Sequence, residues 1–158
     1  KFGPALNNLS WVLWENAHRN PERADQFRRE SLDLMEAATI RCPKYPEGWQ
    51  DFGKMLDMGG RREQADACYK KALTLYPRMS YSMNRLGVTA FMKQEFTKAA
   101  KCFDKAHQIS PQHFEFIYNR GVMFRKNGDL TSAQRLFEQL PHPLPITPAM
   151  LPLEFARD

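Results

Sequence analysis

A glycine returns every 34 residues through the middle of this chain, at Gly53, Gly87 and Gly121. Other positions keep the same step. Phe52 is followed by Leu86, and Leu56 by Ala90 and Phe124. Ala65 returns as Ala99 and Ala133, Tyr69 as Phe103 and Phe137, Ala72 as Ala106 and then Leu140, and Pro77 as Pro111 and Pro145. A step held through three copies restricts the fold more than any compositional property. It demands a unit that repeats in space and buries its apolar face against its neighbours.

Each copy holds two amphipathic helical patterns. In the first copy Trp49, Phe52, Gly53 and Leu56 share one face, and Ala65, Tyr69 and Ala72 share a face further on. Gly59-Gly60 separates the two as a helix end and turn, with Gln94-Glu95 and Asn127-Gly128 in the equivalent places. Pro77, Pro111 and Pro145 stand where the second helix must stop. The unit is therefore a helical hairpin. Glycine inside a helix costs about 1 kcal/mol relative to alanine, so three at one phase need a reason. Closely crossing helices supply it: the missing side chain admits the partner's backbone or a large ring, and Ala65, Ala99 and Ala133 serve the same purpose from the other side.

The spacing predicts eight helices, at 5–18, 22–41, 46–58, 62–75, 80–92, 96–109, 114–126 and 130–139. The first two form an irregular hairpin, 5–41, in which Met35, Ala38 and Pro43 keep the repeat phase. Leu6, Leu9, Ser10 and Leu13 keep it only with extra residues between the halves, and Asn20 and Pro21 are expected to cap and open the second helix. The regular repeats are 46–79, 80–113 and 114–147, giving a helical-repeat domain over 1–140. Residues 141–158 change character. Pro141, Pro143, Pro145, Pro148 and Pro152 predict an extended tail, with a short helical turn near Ala149. Its Leu144, Ile146, Met150, Leu151, Leu153 and Phe155 are too apolar for a free linker. They are expected to cover the last repeat or to lie in a groove.

These residues resemble the tetratricopeptide repeat, whose pattern runs Trp-x-x-Leu-Gly-x-x-Tyr and then Ala, an aromatic, Ala and Pro in 34 residues. The third copy departs from it at Arg120, where Leu is usual, and Leu140-Pro141 predicts that its last helix ends early. The resemblance implies an all-α right-handed superhelix of about four stacked hairpins, an α-solenoid. It also implies that the first helix of each hairpin lines a concave groove for a peptide or partner protein. On that face stand Asn7 and Trp11, then Gln50 and Lys54, then Tyr81, Asn84, Arg85 and Val88, then Tyr118, Asn119 and Arg125. Tyr81, Asn84, Tyr118 and Asn119 are the foremost candidates, because aromatic rings give contact area and Asn can hold an extended backbone. Arg85 is the natural partner for an anion. Trp11 and Trp14 face either the groove or the long second helix. Members of the family that bind chaperones grip a terminal carboxylate with a Lys, Asn and Arg clamp. The two possible registers here give Asn7, Trp11, Asp51, Tyr81 and Arg85, or Gln50, Lys54, Arg85, Glu115 and Asn119. Neither keeps the clamp, and Asp51 or Glu115 would repel a carboxylate.

A second class of reading comes from helical hairpin repeats that bind single-stranded RNA. The net charge of +5 permits it. The groove face opposes it, with Glu15, Glu47, Asp51, Asp57 and Glu115 against Lys54, Arg85, Arg125 and Lys126. A third reading is a structural scaffold whose groove holds its own tail or that of a neighbouring copy. Catalysis finds no support. His18, His107, His113 and His142 fall at unrelated phases, no nucleophile elbow or phosphate loop occurs, and no cofactor or metal is expected. Cys42, Cys68 and Cys102 are odd in number and widely spaced, which favours packing thiols in a reducing compartment such as the cytoplasm. No apolar run approaches the ~20 residues that span a bilayer. The chain opens on Lys1 rather than Met, and reads as part of a larger one.

Overall fold

The computed structural model describes residues 3–156. Lys1 and Phe2 of the expected repeat domain, and Arg157 and Asp158 of the expected tail, lie outside the described residues. Eight α-helices follow one another: α1 (Gly3–Arg19), α2 (Ala24–Arg41), α3 (Pro46–Met58), α4 (Arg62–Leu75), α5 (Ser80–Met92), α6 (Phe96–Ile109), α7 (Phe114–Lys126) and α8 (Leu130–Phe137). There is no strand among the described residues. The chain forms two compact units, residues 1–77 and 78–158. The first packs hairpin α1/α2 beside hairpin α3/α4; the second packs α5/α6 beside α7/α8 and includes the tail.

The five helices α3 to α7 keep the bounds that the repeat predicts; the first two and the last do not. Asn20 does not cap the second helix. Its side-chain amide donates to Asn16 O at 2.9 Å and so closes α1, while Pro21–Arg23 forms a single 3-10 turn ahead of α2. At the other end α8 stops at Phe137. Gln139 N bonds Leu136 O and Leu140 N bonds Phe137 O, three-residue spacings that tighten the chain before Pro141, which has no N–H to offer.

The recurring glycine is explained by an aromatic ring 16 residues further on. A Cβ on Gly53 would lie 2.7 Å from Tyr69 Cε1, one on Gly87 2.7 Å from Phe103 Cε1, and one on Gly121 2.5 Å from Phe137 Cε1. Real carbon contacts sit nearer 3.5–4.0 Å. In these three hairpins the helices thus cross where a ring fills the space that a side chain on the glycine would need. Ala65, Ala99 and Ala133 are buried at the same crossings.

The hairpin turns repeat as well. Gly60, Gln94 and Gly128 all take left-handed backbone, with φ of 76°, 63° and 83°. The residue after each donates back five positions, Arg61 to Leu56 O, Glu95 to Ala90 O and Asp129 to Phe124 O, which is the Schellman closure. Gln94 alone lacks the glycine that this backbone favours. A non-glycine there carries roughly 1–2 kcal/mol of strain, partly offset by glycine's larger unfolded-state entropy. Gln94→Gly is therefore expected to raise stability by about 0.5–1 kcal/mol. A urea midpoint that stays or falls would contradict this account of the turn.

Candidate functional site

In the second unit, Gly87 turns one face of α5 onto α6, as Gly121 turns one face of α7 onto α8. The rest of the two helices offers Asn84, Val88 and Phe91 from α5 and Glu115, Tyr118, Asn119 and Val122 from α7. All seven are buried, and the tail meets this face. Thr147 to Met150 makes a turn closed by Met150 N on Thr147 O at 3.1 Å, and a 3-10 turn, Leu153–Ala156, follows. The short helical turn expected near Ala149 is thus divided between these two. Ala149 is 0% and Leu151 1% exposed, and Met150 and Leu151 share the core cluster with Val88, Phe91, Ile117, Tyr118 and Val122.

Two asparagines hold the tail's main chain. Asn119 Nδ2 donates to Ala149 O at 2.7 Å and to Asn84 Oδ1 at 2.8 Å, while Leu151 N donates to Asn119 Oδ1 at 2.7 Å. Asn84 Nδ2 also donates to Ala149 O at 2.7 Å. The Asn119 carboxamide acts like the peptide group of a neighbouring strand, taking one N–H and giving one back. Every bond is buried, where an unmade one costs most. Tyr118 OH donates to Pro152 O over a long 3.5 Å, and burial pushes its phenol above the usual range. The Thr147 hydroxyl donates to Glu115 Oε1, and His113 Nδ1 lies 3.4 Å from Glu115 Oε2. Phe155 meets the Phe91 ring edge-on, with centroids 5.0 Å apart.

Of the residues marked from sequence, Asn84, Val88, Tyr118 and Asn119 come together here. Tyr81 is half-buried at the start of the same helix and Arg85 is almost wholly buried. Arg125 lines an apolar recess formed with Leu130, Ala133, Phe137 and His142. In the first unit, Asn7 Nδ2 donates to Asp51 Oδ2 at 2.9 Å, and Lys54 Nζ donates to Asp51 Oδ1 at 3.1 Å. Gln50 is half-buried on the same helix as Asp51 and Lys54. Trp14 is core, and Trp11 packs on the same cluster with Met35, Met55, Leu32 and Phe52. Sequence reasoning placed Phe91 on the same helix face but did not mark the pairing of Thr147 with Glu115. Glu115 was visible on the groove face and Thr147 only as part of a proline-rich run. Met58 and Met92, beside their turns, are exposed.

The thiols are free, and burial raises that of Cys68 to about 11, which leaves little thiolate for chemistry at neutral pH. Among the described residues no three His, Cys, Asp or Glu side chains gather as a metal site would need, and no helix is long and apolar enough to cross a membrane.

The tetratricopeptide repeat pattern matches residues 46–79 and again 80–113. The cell division cycle protein 27 homolog of Caenorhabditis elegans is 27% identical over 100 residues, covering 63% of this chain and 13% of its own length. Anaphase-promoting complex subunit 3 of Schizosaccharomyces pombe is 25% identical over 109 residues, covering 68% of this chain and 16% of its own. The crystal structure of MamA matches with a TM-score of 0.61 and 15% identity over 82% of this chain and 75% of that one, a likeness of fold. This chain therefore spans less than a fifth of the length of these two relatives.

Proposed function

This chain belongs to the tetratricopeptide-repeat family, and from that premise we propose that it is a protein-interaction module whose second unit holds an extended polypeptide across α5 and α7. One observation carries the reading: Asn84 and Asn119 grip the carbonyl of residue 149 and the N–H of residue 151. Those groups are common to every polypeptide. Any segment with a small residue where Ala149 sits, and apolar residues after it, would meet the same partners. The tail is the resident occupant, and a partner enters by displacing it. The module works by binding rather than by catalysis. Asn7, Trp11, Gln50 and Lys54 of the first unit, and Tyr81, Arg85 and Arg125 of the second, are proposed as further contacts for a larger partner. A relative named as a complex subunit fits a role inside a multi-protein assembly. A second copy's tail is one candidate occupant. For RNA nothing speaks, since the buried acid Glu115 lies on this face.

The tail is joined to α8 by a short linker, so its effective concentration in its own groove is in the millimolar range. A free peptide competes poorly against that. Ala149→Arg puts a long cation where no space exists and so opens the groove. A labelled peptide of residues 145–156 is expected to bind the Ala149→Arg chain at least about tenfold more tightly than the unaltered chain by fluorescence anisotropy. Adding Asn119→Ala is expected to abolish that gain. If the Ala149→Arg chain keeps its helical content yet takes up no peptide, the groove is not the binding site.

A further inference from the structure

The tail carries one feature that peptide holding does not need. Ala149, Leu151 and Pro152 bond to the helices through main-chain groups, but Thr147 bonds through its hydroxyl, to the Glu115 carboxylate. The same hydroxyl oxygen accepts from Ala149 N at 3.3 Å, so it also braces the turn that delivers Ala149 to the two asparagines. Pro148 follows directly, in a helix-free stretch whose Pro145, Ile146 and Pro148 are exposed.

We propose that Thr147 is a phosphorylation site for a proline-directed kinase, and that its phosphate empties the groove. The proposal rests on the groove reading above and supplies its regulation. The γ-phosphoryl group of ATP passes to Thr147 Oγ1. The bond to the ADP leaving group breaks, the phosphate ester forms, and the hydroxyl proton is released. The product has lost the donor that Glu115 accepts, and carries a charge of roughly −1.5 to −2 in its place. Glu115 is too buried to turn away, its side chain being 8% exposed. His113 lies beside Glu115, its Nδ1 3.4 Å from the other carboxylate oxygen, and is 43% exposed. One imidazole does not balance a carboxylate and a phosphate together. In the docked tail the hydroxyl is engaged, so the kinase acts on the undocked fraction. The phosphate then prevents return, shifting a population that already exists.

The full chain is treated with a proline-directed kinase and ATP, and the site is read by mass spectrometry. Thr147 is expected to be modified, faster in the Ala149→Arg chain where the tail is open. The phosphorylated chain is expected to bind the labelled, unphosphorylated 145–156 peptide about tenfold or more above the untreated chain, and to lose its tail to chymotrypsin sooner. Glu115→Gln is expected to weaken both effects. A phosphorylated chain with a protected tail and unchanged binding, beside an Ala149→Arg chain that binds, overturns the switch and leaves the groove standing. An Ala149→Arg chain that binds no peptide removes the groove and the switch together. Failure of the kinase to modify Thr147 even in the Ala149→Arg chain overturns the site.

Discussion

Asn119→Ala is expected to lower the stability of the second unit by about 3 kcal/mol and to release the tail. The alanine leaves the Leu151 N–H and Asn84 Oδ1 without the partners that they have now, while Ala149 O keeps its bond from Asn84. Two orphaned groups in a dry site cost roughly 1–3 kcal/mol each. The chain has one escape: the tail can undock and let water satisfy both groups, at the cost of exposing Met150 and Leu151. Burying an aliphatic side chain is worth about 1.5–3 kcal/mol, so the two costs are comparable and the tail's docking energy caps the loss. Two readouts should therefore diverge. Chymotrypsin should cut after Leu153 or Phe155 much sooner, while the helices unfold only somewhat earlier. Circular dichroism is the probe for them, because Trp11, Trp14 and Trp49 all lie in the first unit. Asn119→Asp separates geometry from bonding. It keeps an acceptor for Leu151, loses both donated bonds, and buries a charge. It should be at least as damaging as alanine despite its matching shape. An Asn119→Ala chain with unchanged stability and an equally protected tail would refute this account of the groove.

The helices were legible because their cause is local and periodic. Gly87 announces a ring at Phe103, and both lie inside one repeat, so counting residues finds them. Even the position of left-handed backbone follows the step, from Gly60 through Gln94 to Gly128. Legibility failed where a boundary depends on a competition rather than a period. Asn20 had two uses, and the carbonyl of Asn16 took its amide. Pro141 lies four residues beyond Phe137, yet the chain leaves the α-helix before reaching it. The site was half legible. Asn84, Tyr118 and Asn119 could be placed on a helix face by spacing alone. Their occupant could not, because a proline-rich segment has no period from which to read a register. What puts Ala149 over Asn119, 30 residues away, is a fit between one small side chain and one carboxamide.

Gly87→Val is expected to be the most damaging single change on the repeat, costing about 3 kcal/mol or more. A Cβ at residue 87 would meet Phe103 Cε1 at 2.7 Å, Phe103 Cδ1 at 2.9 Å and Cys102 Cβ at 3.0 Å. The Phe103 ring is wholly buried, so it has nowhere to retreat. Alanine here gains about 1 kcal/mol of helix propensity against an overpacking cost of roughly 1–3 kcal/mol, and should be mildly destabilising. Valine adds two methyl groups, and its branched Cβ reduces the propensity gain. The helices must then part, which also disturbs Val88 and Phe91 under the tail. Shrinking the ring tests the cause directly. Phe103→Leu alone should cost a cavity, but joined to Gly87→Ala it should lose less than the sum, with a coupling of about 1 kcal/mol or more. Gly60 is the control. A side chain there meets nothing within 4 Å, and its cost arises from a φ of 76°. No partner substitution should rescue Gly60→Ala. If the Gly87 and Phe103 changes prove additive, the ring does not explain the recurring glycine, and the hairpin crossing must be held apart by something else.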